Sequence, residues 1–262
     1  MCYWINKHKN SIIAFLFVYI AIVVYMIINR KEITVSNGLS VFFSVFSINR
    51  NLFPVLVYVL SFPSFSVMDH YSYYENSFDY CLITRLSVRK YYVKSIICVI
   101  LKSILLNCLL QVLLLKTIDL FWVKVSFSKM TVFNLISDNG WNNLVYYLVF
   151  SNIGAAIYSV FLFLCVPFFK SRYLYRSIPL LMILGGVLLG LLIFTLSLPL
   201  TIIFQQPIAR AVLLNSNPLG LLTPGLMMEE NIMLSFIIAF IEITILIIVL
   251  FPLSIEKRMN DE

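Results

Sequence analysis

Charged side chains are scarce in this chain: of 262 residues only 12 % are Asp, Glu, Lys or Arg, while 61 % are hydrophobic and the mean hydropathy is +0.96. An ordinary soluble domain carries about 25 % charged residues, so that class is excluded. Histidine is almost missing. His8 and His70 have no partner at metal-ligand spacing, and no Ser/His/Asp set is available for nucleophilic catalysis. The eight glycines include no GxxxxGK[ST] run, so no phosphate-cradling loop of that kind exists here. The cysteines, Cys2, Cys81, Cys98, Cys108 and Cys165, are five, an odd number, and scattered, which argues for reduced thiols and against a disulfide framework or metal site. Paired acid/base groups are missing as well, so no enzymatic activity is expected of this chain and any energy must come from elsewhere.

What is present is long apolar sequence. A span needs about 20 mostly apolar residues, and in lipid only helices or closed barrels satisfy the backbone. The runs are continuous, so an all-α membrane protein is expected, a single transmembrane domain with six spans near 11–28, 52–68, 95–115, 144–169, 178–200 and 232–253. The first is expected to be a retained span, since no small-residue cleavage site follows Ile28, and Cys2 lacks the preceding apolar stretch of a lipobox. Val41 to Ile48, too short to cross, is expected at the interface. Pro54 and Pro63 predict a kinked second span. The third carries Lys102, Asn107 and Gln111 and is expected to face protein, with Lys102 snorkelling toward the nearer surface. Gly154, Ala155 and Ala156 allow close helix approach in the fourth. Thr201 to Asn231, broken by Pro207, Pro218 and Pro224, suits two short half-helices that dip into the membrane edge and return.

The net charge of +7 is therefore read by loop and not as a sign of nucleic acid, for which no module is present. With both termini in the cytoplasm, eleven Lys and Arg fall inside and seven outside, which favours that orientation. It places Ser72 to Lys94, SYYENSFDYCLITRLSVRKYYVK, in the cytoplasm. Ser72 and Glu75 have capping-box spacing, predicting a helix from Tyr73 to Leu86 with Tyr74, Phe78, Leu82 and Leu86 on one apolar stripe. Glu75 and Asp79 stand early, and Arg85, Arg89, Lys90 and Lys94 late, as the helix dipole favours. The stretch is either gripped by a partner or a solvated interfacial helix. Two further features carry paired readings. Glu242, near the middle of the sixth span, costs about 2.5 to 3.5 kcal/mol there unless protonated, paired or near water, so it faces a translocation path or a polar interhelical contact, or is a protonated carboxyl bonded to nearby backbone. Gly186 and Gly190 form a GxxxG for a close crossing, at a dimer interface or within one subunit.

In this order of parts the chain resembles the permease subunits of type-2 ABC transporters, six-span bacterial proteins that pair with separate ATPase subunits. Glu75, Asp79, Leu82, Thr84 and Arg85, with Lys94 leading into the third span, look like that family's coupling helix and its terminal lysine. Ser77 and Phe78 replace the usual Gly-Thr pair, and the proline usual near Ser87 is missing. The run NPLGLLTPG looks like the short external re-entrant helices between the fifth and sixth spans. The resemblance implies a bacterial plasma-membrane exporter, ATP and Mg bound by the partner ATPase, and a second permease copy or homologue packed through the first and fifth spans. It implies that Glu75, Phe78, Asp79, Leu82, Arg85 and Leu86 meet the ATPase. Walls rich in Phe and Tyr favour an amphiphilic cargo: an antimicrobial or signalling peptide, a lipid or a hydrophobic drug. A teichoic-acid or polysaccharide exporter is disfavoured, since only about ten residues precede the first span. The alternative from another class is a membrane immunity, sensor or scaffold protein that transports nothing.

Overall fold

The computed structural model describes residues 9–29, 37–47, 50–76, 87–127, 137–185, 188, 218–224 and 232–260. Its elements are helices: α1 (Lys9–Ile28), α2 (Gly38–Val45), α3 (Leu52–Ser66), α4 (Met68–Glu75), α5 (Val88–Phe121), α6 (Gly140–Cys165, continued by a 3-10 turn, Val166–Phe168), α7 (Arg172–Arg176), α8 (178–185), α9 (Pro218–Leu222) and α10 (Ile232–Asn260). No strand occurs among the described residues. That is notable for α1, rich in Ile and Val, residues that favour strands in soluble proteins. Without water to satisfy N–H and C=O groups, such a segment must satisfy them within itself.

Four helical segments among the described residues are long and apolar enough to cross a membrane: Ser11–Ile28, Val88–Phe121, Gly140–Phe168 and Phe236–Met259. α6 is the central one, with 72 % of its apolar window buried against 28 % in α1 and α5 and 17 % in α10. It packs along α5 and α10, and α1 packs along α3. Outward faces carry Phe17, Leu101, Leu105 and Ile248, each at least 62 % exposed and suited to lipid. α5 has 34 residues, about 51 Å at 1.5 Å per residue, more than a perpendicular crossing needs.

Three expectations change. The segment expected at the interface is instead α2, all eight of whose residues are buried. Ser44 there donates to its own Val41 carbonyl (2.7 Å), so its polar atoms do not require a wet face. Asn37 anchors α2 by accepting from the amides of Leu39 (3.0 Å) and Ser126 (3.1 Å) and donating to the Ser126 carbonyl (2.9 Å). The second apolar run does not continue to Met68 as one helix: α3 ends at Ser66, Val67 breaks the path, and α4 begins. Ser72 and Glu75 consequently lie in the last turn of α4, which ends at Asn76, and not at a helix start. Of the predicted 73–86 helix, residues 77–86 lie outside the described residues, as does the fifth apolar run beyond 188.

Candidate functional site

Polar side chains in a membrane bundle must find partners, and here they gather in three places. The first joins α1, α4 and α5. Lys102 reaches Asp69 with Nζ 2.6 Å from Oδ2 and donates to Ser11 Oγ at 2.7 Å, while the Ser11 hydroxyl lies 3.3 Å from both Asp69 carboxylate oxygens. Asp69 is 6 % exposed and Lys102 13 %. Lys102 therefore does not snorkel freely: it ends on a carboxylate beside Ser11, near the start of α1. At this depth the pair holds only because each charge meets the other.

A second group, of neutral residues, lies in the seam between α3, α5 and α6. Asn107 and Gln111 stand one helical turn apart on the buried face of α5. Tyr58 of α3 donates to Asn107 Oδ1 (2.5 Å), the Asn107 amide lies 3.2 Å from Asn152 Oδ1, and Gln111 Nε2 donates to Ser151 Oγ (2.9 Å). Ser151 in turn donates to the Leu222 carbonyl at the end of α9 (2.8 Å). α9 comes that close because of Gly154: a Cβ there would stand 2.1 Å from the Leu221 carbonyl oxygen. Asn107 and Ser151 are 0 % exposed and Gln111 1 %, so the seam is sealed. It can hold helices in register, but it offers no open surface to a cargo.

The third place is the end of the bundle where α4, α6, α7 and α10 meet. Tyr71 donates to the Phe169 carbonyl (3.1 Å) and Tyr74 to that of Pro167 (3.4 Å), tying α4 to the end of α6. Tyr71 stacks on Tyr175 of α7 (centroids 4.8 Å apart), and Arg258 of α10 lies 4.6 Å over the Tyr74 ring. Glu75 pairs with Arg172. Burial holds the Tyr175 phenol well above its usual range, so it stays a neutral donor to the Leu162 carbonyl (3.1 Å). Tyr92 donates to the Ser254 carbonyl (3.1 Å), adding α5 to α10.

Of the residues singled out from sequence, Glu75 is exposed at this junction and Glu242 is half-buried on α10. Phe78, Asp79, Leu82, Arg85, Leu86, Gly186 and Gly190 lie outside the described residues. Among the described glycines, close backbone approaches occur at Gly154 and at Gly38, where a Cβ would stand 2.4 Å from the Val123 carbonyl oxygen, whereas Gly185 has nothing within 4 Å among the described residues. Sequence reasoning missed Asp69 and Arg172. A signal for the first existed: an acid closing one apolar run and a lysine inside the next are opposite charges that lipid forces together. Nothing in the sequence tied Arg172 to Glu75, 97 residues away. No protein-family model, curated protein or solved structure matches the chain.

Proposed function

We propose that the chain is the membrane-spanning permease subunit of an ATP-driven exporter of the type-2 ABC kind, working with a separate ATPase subunit and with a second permease copy or a homologue. One observation carries the proposal. α4, which delivers the chain into the polar 77–86 stretch, is tied by Tyr71, Tyr74 and Glu75 to α6, α7 and α10 at once. A partner that grips the stretch after α4 therefore pushes on three elements together, which is what a coupling lever requires.

The finer architecture belongs to the same proposal. α3 serves as the second span and 178–200 as the fifth; Glu75, Phe78, Asp79, Leu82, Arg85 and Leu86 face the ATPase. The end holding α4 and α7 is cytoplasmic, with both termini on that side of a bacterial plasma membrane. An amphiphilic cargo passes between two permeases and not through one, a route favoured by the sealed Asn107–Gln111–Ser151 seam.

The test is purification in mild detergent with genomic neighbours co-expressed, followed by mass spectrometry of what remains bound and an ATPase assay. An ATPase that co-purifies, and is lost in Leu82→Asp while the spans still insert, is the expected result. A chain that purifies alone, with no ATPase activity, would move the assignment to a membrane immunity, sensor or scaffold protein.

A further inference from the structure

At the end of the bundle that carries α4 and α7, a pocket of about 430 Å³ opens between α1, α3, α4 and α7. Its two halves differ in chemistry. One wall is apolar: Ile13, Ala14 and Phe17 of α1, with Met68 of α4 behind them. Ile13 is 54 % and Phe17 62 % exposed, so this wall is continuous with the outward face of α1 that lipid covers. The other wall carries Arg172 and Arg176, one turn apart on α7.

Charge decides what such a pocket takes. Glu75 neutralises Arg172. Arg176 is exposed and has no acidic partner among the described residues, leaving one net positive charge at the rim. Lys170 lies two residues before Arg172 and is exposed as well. A groove farther along α1, between it and α5, lined by Tyr19, Val23, Ile27, Thr117, Phe121 and Trp122 and about 360 Å³ in volume, has a comparable apolar wall but no charge. A basic rim beside an apolar wall, at the start of the apolar Ser11–Ile28 helix, is complementary to an anionic headgroup joined to an acyl chain.

We infer that this pocket binds one anionic phospholipid, its phosphate on Arg176 with support from Arg172, and its acyl chain along Ile13, Ala14 and Phe17. The site needs no ATPase partner and stands whether or not the exporter assignment does. A net-neutral phospholipid offers the same phosphate but brings its ammonium toward the arginines, so the site discriminates by headgroup charge.

The experiment is native mass spectrometry of the full chain, delipidated in detergent and re-equilibrated with phosphatidylglycerol, phosphatidylcholine or inorganic phosphate. The expected result is one retained phosphatidylglycerol per chain, at least fivefold preferred over phosphatidylcholine, with no retention of free phosphate. Arg176→Glu should lose most of that preference and Arg176→Lys should keep it, while Phe17→Ala should weaken retention of both lipids. Three results would overturn the inference: equal retention of the two lipids, an Arg176→Glu variant that binds as the parent does, or a mass showing two chains with the lipid excluded, which would assign the wall to a second copy. Unchanged thermal unfolding of the Arg176 variants, whose side chain is exposed, separates loss of lipid from loss of fold.

Discussion

Lys102 and Asp69 show how a single residue changes meaning between sequence and structure. The sequence places a lysine inside an apolar run, and snorkelling is the cheapest local answer; it cannot show that the end of the preceding run folds back to the same level. The pair is mostly buried, so its two halves are not independent. Lys102→Met leaves the Asp69 carboxylate buried without its cation, and removal of one partner from a buried pair costs about 3 to 5 kcal/mol. Replacing both, as Lys102→Met with Asp69→Leu, removes the stranded charge and should cost distinctly less than Lys102→Met alone. Ser11 should matter less, because its hydroxyl bridges the pair and bears no charge. Thermal unfolding of Lys102→Met, Asp69→Leu and the double variant in one detergent measures this. A double variant as unstable as the sum of the singles would mean that the two residues act separately.

At the scale of elements, length and apolarity made the four long spans legible, because lipid leaves the backbone little choice. Short elements were not legible by the same means. α2 is too short to span, and its apolar sequence reads equally well as interfacial or buried; what decides is that Ser44 satisfies itself and that Tyr147 lies edge-on to Phe42 and Phe43, with centroids 5.7 and 5.5 Å apart. α9 depends on one missing side chain. Gly154→Ala drives a Cβ into the Leu221 carbonyl, which is backbone and has no rotamer to change, so either α9 shifts or α6 does. Overpacking of this kind costs about 1 to 3 kcal/mol. It should also break the Ser151 bond to the Leu222 carbonyl, leaving the Ser151 hydroxyl only as an acceptor from Gln111 and Asn107. Gly185→Ala is the control, since among the described residues nothing stands within 4 Å of its added methyl. It should leave stability unchanged or raise it, as alanine is the better helix former. If both variants unfold alike, the close contact of α6 with α9 is not what Gly154 is for.

For the whole molecule, composition alone fixed the class, a multi-pass helical membrane protein, but not which helix ends meet. That information lies in contacts between residues far apart in sequence, and the Glu75–Arg172 pair is the clearest case. Both side chains are more than a third exposed, at 37 % and 45 %, so the pair contributes at most about 1 kcal/mol to stability. Its removal should leave the fold intact. Its place is what matters: it fixes the end of α4, from which the polar stretch departs, to α7, which leads into the proposed fifth span. If the chain is an exporter subunit, Arg172→Glu puts two carboxylates together and loosens the end of α4 from α7, leaving the Tyr71–Tyr175 stack as their remaining tie, so less of the push of the ATPase is passed on. ATP hydrolysis by the reconstituted complex should continue while cargo moved per ATP falls. Glu75→Arg should do the same by opposing two cations. Combining them restores an ion pair of reversed sense, and the double variant should recover coupling that neither single variant shows, with all three melting within a few degrees of the parent. Transport counted against phosphate released in liposomes reads this directly. A double variant no better coupled than the singles would show that each residue acts on its own partner, and that α4 is not held to α7 by this charge pair when force is transmitted.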